Sequence, residues 1–227
     1  MARTVDIASH AVRREAFVDA AERLFRSKGY EATSVQDLLD DLDASRGAFY
    51  HYFGSKGELL EAVVDRMVVF ATTQAEAVAA DRTLTGAQQL RGVFERITSW
   101  KLGEADLMHA MLDAWVSDEN ALMREKYRRS VAHAMVPLLT RIAATGIADG
   151  TVRATSPAGA ARTIVHLLLG FQEETVQLFV AIRRGTVTFD EAWAVISLYP
   201  GVIDDAAGLA PGTFPFIDKD TLRPWFA

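Results

Sequence analysis

Apolar residues along this chain recur at intervals of three and four, and no segment alternates apolar with polar in the strict two-residue period of a half-buried strand. Phe17, Ala20, Ala21, Leu24 and Phe25 share one face of a helix expected over residues 13–28, with Gly29 as its stop. Thr33-Ser34-Val35-Gln36 reads as a capping box in which Thr33 caps and Gln36 reaches back. The short helix it opens turns Val35, Leu38, Leu39 and Leu42 inward. A third helix, also short, runs from about Ser45 to Phe53 and stops at Gly54. Ser55-Lys56-Gly57-Glu58 is a second capping box, ahead of a longer helix with Leu59, Leu60, Val63, Val64 and Met67 on its buried side.

Longer helices follow. Thr85 to Gln88 caps one that reaches about Lys101, and another covers Asp106 to Val116. A further helix runs from about Asn120 to Thr145, closed by Gly146. Ser156-Pro157 is a good N-cap and first-turn pair for a helix extending to Arg184. Thr188 to Glu191 forms a last capping box, and its helix is expected to break or kink at Pro200-Gly201. The tail from Ala210, with Pro211, Pro215 and Pro224, reads as irregular. The fold class is all-α.

The first three helices match a helix-turn-helix. On the third, Phe49 and Phe53 fall on nearly the same side and plug into the first two. Gly47 and His51 then point the other way, flanked by Arg46, Ala48, Tyr50 and Tyr52. An exposed face with two tyrosines, a histidine and an arginine suits a DNA duplex. The hydroxyls and imidazole donate to phosphates, Arg46 pairs with phosphate or guanine, and Ala48 meets a thymine methyl. Gly47 permits close approach.

Charge at first argues against that reading. The chain has 24 Lys+Arg against 30 Asp+Glu, a net charge of -6. Its distribution changes the meaning: residues 1–56 hold 8 basic and 9 acidic residues, and the stretch from Ala44 to Lys56 holds Arg46 and Lys56 with no acid. The reading head is locally basic, and the excess acid lies beyond it. Half of the residues are hydrophobic and 24% are charged, which excludes wholesale disorder. The absence of cysteine excludes disulfides, thiolate metal sites and thiol nucleophiles. No uninterrupted apolar run of membrane-spanning length stands out, and the first twelve residues lack a signal-peptide core. A cytoplasmic protein with no membrane association is expected.

The stretch Gly29-Tyr30-Glu31-Ala32-Thr33-Ser34-Val35-Gln36-Asp37-Leu38-Leu39, followed by Ala44-Ser45-Arg46-Gly47-Ala48-Phe49-Tyr50-His51-Tyr52-Phe53-Gly54-Ser55-Lys56-Gly57-Glu58-Leu59-Leu60, resembles the DNA-binding domain of TetR-type (tetracycline-repressor-like) regulators. That resemblance implies a helix-turn-helix head over 11–56, a connecting helix over 57–80 and a helical-bundle domain for ligand binding and dimerisation over 81–227. It implies that Thr33 caps the second helix at a phosphate with Ser34 as a donor beside it. Ser45 would open the recognition helix, Arg46, Gly47 and Ala48 would face bases, and Tyr50, Tyr52 and Lys56 would bind the backbone, with His51 on the same face. Two features depart from the pattern. Asp43 stands in the turn where Gly is usual, and Asp37, Asp40, Asp41 and Asp43 make the second helix acidic. These carboxylates are expected to point away from DNA.

In the C-terminal part, Ile164, Leu168, Phe171, Leu178 and Ile182 form one stripe of the 157–184 helix, and Val165, Leu169, Val176 and Val180 a second. A helix apolar on two faces is buried on two sides. One side is expected against its own core and one against a partner copy, with Gly170 allowing a close crossing. The homodimer is therefore expected through helices near 157–184 and 189–199. Trp100, Met108, Met111, Trp115, Met123, Tyr127 and His133, with Phe171, Gln172 and Glu173 opposite, are the candidates for a largely apolar ligand pocket. No phosphate loop, G-x-G-x-x-G or G-x-S-x-G occurs, and the five histidines show no paired-ligand spacing. No enzyme, metal or cofactor is expected. The resulting function is a ligand-responsive regulator, a repressor released from a double-stranded operator by a small molecule. The alternative is a helical ligand-binding or adaptor protein that has lost operator binding.

Overall fold

The computed structural model describes residues 7–215 and 217–226, and its described residues contain helices and no strand. The elements are α1 (Ile7–Lys28), α2 (Val35–Leu42), α3 (Arg46–Tyr52), α4 (Lys56–Ala79), α5 (Gly86–Gly103) and α6 (Ala105–Val116). They continue as α7 (Ala121–Asp149), α8 (Pro157–Arg183), α9 (Phe189–Ile196), α10 (Tyr199–Ala207) and α11 (Lys219–Leu222). Two short 3-10 turns, Asp118–Asn120 and Arg223–Phe226, complete the described chain.

These elements form two compact units. The first takes in the residues up to Val68 together with Glu104–Tyr127, and the second Val69–Gly103 together with the residues from Arg128 onward. This division differs from a break near residue 56, because α6 belongs with the head. Leu107, Met111 and Ala114 of α6, and Met123 of α7, join Phe17, Phe25, Leu38, Phe49, Phe53, Leu59 and Leu60 in one apolar core. The Tyr30 amide donates to the Ala110 carbonyl at 3.3 Å, and Arg26 pairs with Glu104 at 2.6 Å. On the other side of the head, Arg66 of α4 meets Asp19 at 2.5 Å and Glu22 at 2.6 Å, tying α4 to α1.

In the second unit α5 and α7 approach closely at Gly86 and Gly146. A Cβ built on Gly86 would overlap the backbone N and Cα of Gly146, and one on Gly146 would overlap Val152. Gly146 was expected to end its helix; instead α7 runs on to Asp149 and ends at Gly150, whose φ is +79°. The missing Cβ of Gly146 serves packing, while that of Gly150 serves the left-handed turn. The stretch Asp118–Asp149 is long and apolar enough to cross a membrane by length and composition. Its Met135, Leu138, Leu139, Ile142 and Ala143 are nonetheless buried inside the second unit, as in a core helix.

Three other expectations are corrected. α1 begins well before residue 13; Ala11, Val12 and Arg13 are exposed and give periodicity no buried stripe to register. The helix opened at Thr188 does break, two residues earlier than expected, at Ser197 and Leu198, and Pro200 falls in the first turn of α10, which needs no proline N–H. The tail is not irregular throughout. Asp218 caps α11 by accepting from the amides of Asp220 and Thr221, and Leu222 and Phe226 are buried. Phe226 packs on Phe179 and Phe189, and Lys219 and Arg223 both reach Asp190. Upstream, buried Asp204 accepts from the amides of Gly212 and Phe214, and Phe214 stacks on Phe94. The ring partners Phe226 with Phe179 and Phe189, and Phe214 with Phe94, lie far apart in sequence, where helical periodicity carries no signal.

Candidate nucleic-acid interface

The recognition helix α3 is set by its two faces. Phe49 and Phe53 are 0% and 2% exposed, with Phe49 edge-on to Phe17 at 5.6 Å. That anchoring leaves Gly47 and His51 exposed on the opposite side, with Arg46 and Tyr50 exposed beside them. Ser45 is the N-cap, its hydroxyl accepting from the Ala48 amide at 3.2 Å, so its role is structural before it is anything else. The Arg46 guanidinium lies 5.9 Å from the Tyr50 ring centroid, which holds the two together on the outer face. Tyr52 is half-buried against Phe17 and against His10 of α1 at 4.6 Å. His10 also meets His51 at 5.4 Å. His10 was missing from the sequence candidates because α1 was drawn too short to include it.

Gly47 is informative because nothing inside the protein requires it. A Cβ there would find only the Ser45 hydroxyl, at 4.0 Å. Glycine in a helix costs about 1 kcal/mol relative to alanine. The space in front of this residue is open.

Ser34, rather than Thr33, caps α2. The Ser34 hydroxyl accepts from the Asp37 amide, and the Asp37 carboxylate accepts from the Ser34 amide at 2.6 Å, so the capping box is shifted by one residue. Thr33 is 1% exposed and donates to the Gly29 carbonyl at 2.7 Å, which removes its side chain from the surface. Asp37 completes this box and also pairs with Lys28 at 2.6 Å. The Lys28 ammonium first, then the Ser34 hydroxyl and amide, hold its carboxyl well below the usual carboxylate range. Asp41 pairs with Arg23 at 2.6 Å, and Asp40 accepts from Gln36 at 2.7 Å. The acids at 37 and 41 thus turn toward α1. Asp43 sits in the left-handed region at φ 45° and closes α2 as its C-cap, the conformation that glycine would take at no cost.

Lys56 is committed inward. Its ammonium donates to the Tyr30 carbonyl at 3.0 Å and the Thr33 carbonyl at 3.1 Å, and lies 4.2 Å from the Tyr30 ring centroid. It pins the loop ahead of α2 to the start of α4. Lys56→Met is expected to lower stability by about 1.5–3 kcal/mol, the range for hydrogen bonds to a charged group. Thermal unfolding checks this. An unchanged melting temperature with a salt slope of DNA binding reduced by about one would instead make Lys56 a phosphate contact.

The ligand candidates are divided between the units. Met111 and Met123 are buried in the core of the first unit, and Trp115 and Tyr127 pack against it, with their rings edge-on at 4.9 Å. Met108 lies in the same unit. In the second unit, Trp100 stacks on Phe70 at 5.2 Å and Phe171 on Tyr199 at 4.8 Å. His133 and Glu173 are exposed, with Glu173 accepting from Gln177 at 3.1 Å, and Gln172 is half-buried. A small apolar cavity in this unit is lined by Leu90, Leu139, Ile142, Val152, Ile164 and Leu209, among others, and by none of the ligand candidates.

Residues 17–63 match the family model described as bacterial regulatory proteins, tetR family. Over these residues the chain is similar to the DNA-binding head of tetR-family regulatory proteins. The matched segment covers the core of α1, the whole of α2 and α3, and the first turns of α4. An HTH-type transcriptional regulator from Lactococcus lactis is 44% identical over 55 residues, 24% of this chain and 28% of that one. The chain thus spans little more than a quarter of that relative's length. The regulator YfiR of Bacillus subtilis is 22% identical over 194 residues, 83% of this chain and 87% of its own. Among solved structures, a TetR/AcrR-family regulator from Thermobifida fusca is 25% identical, with a TM-score of 0.55 over 82% of this chain and 93% of that one. The TetR-type likeness is dense in the head and dilute beyond it.

Proposed function

We propose that this TetR-type protein is a repressor that binds a roughly palindromic operator as a homodimer and is released by a small molecule. The observation that carries the reading is the outer face of α3. It has exposed Arg46, Tyr50 and His51, an open glycine at 47, and acids on α2 that pair toward α1. Thr33 leaves the list of direct contacts, and Ser34 and Lys56 serve first as structural partners. Base contacts fall to Arg46, Gly47 and Ala48, and backbone contacts to Tyr50, His51 and Tyr52. The internal pairing of α2 also removes the main support for a head that has lost operator binding.

Dimerisation is assigned to α8 with α9 and α10. Val195, Leu198 and Val202 are 37%, 65% and 49% exposed, and Gly170 faces open space one residue from the Phe171–Tyr199 contact. Two recognition helices brought together in this way enter successive major grooves. A ligand in the second unit then favours a head spacing that no longer fits DNA. A full switch between the two states takes about 5.5 kcal/mol of differential binding. The regulator works in the cytoplasm, as operator binding requires.

The test is fluorescence anisotropy with the DNA upstream of the chain's own gene. Salt-steep, sequence-selective binding is the expected result, and no binding at about 50 mM salt removes the reading. Light scattering that returns a stable monomer at micromolar concentration ends the dimer assignment.

A further inference from the structure

The outer side of α8 carries Thr163, His166, Gly170, Glu173 and Gln177, all exposed. Their spacing alternates three and four, the repeat of a helix–helix seam. At 100° per residue these positions fall within about 80° of one another on the helix surface. Behind them Ile164, Val165, Leu169 and Leu178 are buried. The seam is the side of α8 that its own unit leaves uncovered.

An exposed polar stripe is ordinarily a solvated face. Two features set this one apart. Apolar groups are exposed on the helices beside it: α10 packs on α8 through the Phe171–Tyr199 contact at 4.8 Å, and α9 and α10 expose Val195, Leu198 and Val202. The seam is also complementary to its own reverse. When two copies of α8 run antiparallel about a two-fold axis beside Gly170, residues equally far on either side of the centre meet. Thr163 then faces the partner's Gln177, a hydroxyl against an amide, and His166 faces the partner's Glu173, an imidazole against a carboxylate. His166 and Glu173 lie toward the same edge of the seam, as a two-fold pairing requires, whereas Glu174 lies about 100° round from Glu173. At the centre, a Cβ on Gly170 would meet nothing within 4 Å, so the crossing point is clear on each copy.

We infer that the homodimer closes through this seam in an antiparallel register centred on Gly170, with His166 of each copy paired to Glu173 of the other. This rests on the homodimer reading above and specifies which residues meet. Glu173 accepts from Gln177 of its own chain at 3.1 Å, which holds its carboxylate on the seam and leaves lone pairs for an imidazole N–H. The pair occurs twice in a symmetric dimer, so any change to it is made twice.

The test is a charge exchange between two variants of the full-length protein, His166→Glu and Glu173→Lys. Alone, the first sets carboxylate against carboxylate at both contacts, and the second sets an ammonium against an imidazole. In a mixed dimer, the introduced carboxylate meets the introduced ammonium at one contact, and the original imidazole meets the original carboxylate at the other. Sedimentation equilibrium is run on each variant and on their equimolar mixture. Each variant alone should dimerise about tenfold or more weakly than the unaltered protein, and the mixture should recover to within about threefold of it. Recovery needs two folded chains, which separates a lost contact from a damaged fold. A mixture no better than its components, or variants that dimerise alone as the unaltered protein does, overturns this register and leaves a homodimer through other residues. Unaltered protein that stays monomeric at micromolar concentration overturns the register and the homodimer reading together.

Discussion

Arg46→Ala is expected to weaken operator binding by at least thirtyfold, with the loss concentrated on the preferred sequence. The guanidinium stands at the exposed first residue of α3 and is steadied by the Tyr50 ring. A side chain that reads a guanine edge contributes about 1–3 kcal/mol of discrimination. In a symmetric dimer the change is made twice, so about 2–6 kcal/mol is removed, and 1.4 kcal/mol is tenfold. Tyr50→Ala removes a hydroxyl aimed at the backbone together with the ring that orients Arg46. It should therefore lower affinity for specific and random DNA together. The two variants separate base reading from backbone positioning. Anisotropy against the operator and against a scrambled duplex, each over a range of salt, gives both numbers. Equal losses on both duplexes for Arg46→Ala would make it a phosphate contact, and no loss would move the reading surface off α3. Neither residue contributes to the buried core, so the melting temperature should hold.

Gly86→Ala is expected to destabilise the second unit by about 3 kcal/mol, the upper end of the range for added volume in a packed core. The new methyl group would strike the backbone of Gly146, which cannot rotate aside as a side chain does. The Ile142 carbonyl is the next obstacle, at 2.9 Å. The helix propensity gained by replacing glycine, about 1 kcal/mol at most, opposes this and is too small to cancel it. Gly57→Ala is the control. Gly57 also lies in the first turn of a helix, but its added methyl meets only the Ser55 hydroxyl at an ordinary 3.6 Å. Chemical denaturation of the two variants should separate them by several kcal/mol. A Gly86→Ala protein as stable as Gly57→Ala would show that α5 and α7 can part at this crossing without cost.

Local rules made much of this molecule legible in its sequence. Apolar spacing of three and four gave the helices, and the capping boxes at Thr85 and Thr188 form as read. The split faces of α3, with Phe49 and Phe53 in and Gly47 and His51 out, follow from 100° per residue. The density of the motif from Gly29 to Leu60 carried the likeness of the head to the tetR family. All of these depend on residues within about one or two helical turns of each other, where backbone geometry fixes who meets whom.

What the tertiary structure alone decided depends on partners brought together through space. It placed α6 in the head core and drew Met111, Met123, Trp115 and Tyr127 with it. It turned Lys56 from an outward cation into a clamp on Tyr30 and Thr33, some two dozen residues upstream. It moved the cap of α2 from Thr33 to Ser34, because the Thr33 hydroxyl finds the Gly29 carbonyl first. It gave Gly146 a packing role in place of a stop. Residue type and spacing show what a side chain is able to do, and its chemistry is then settled by which groups from distant elements occupy the space around it.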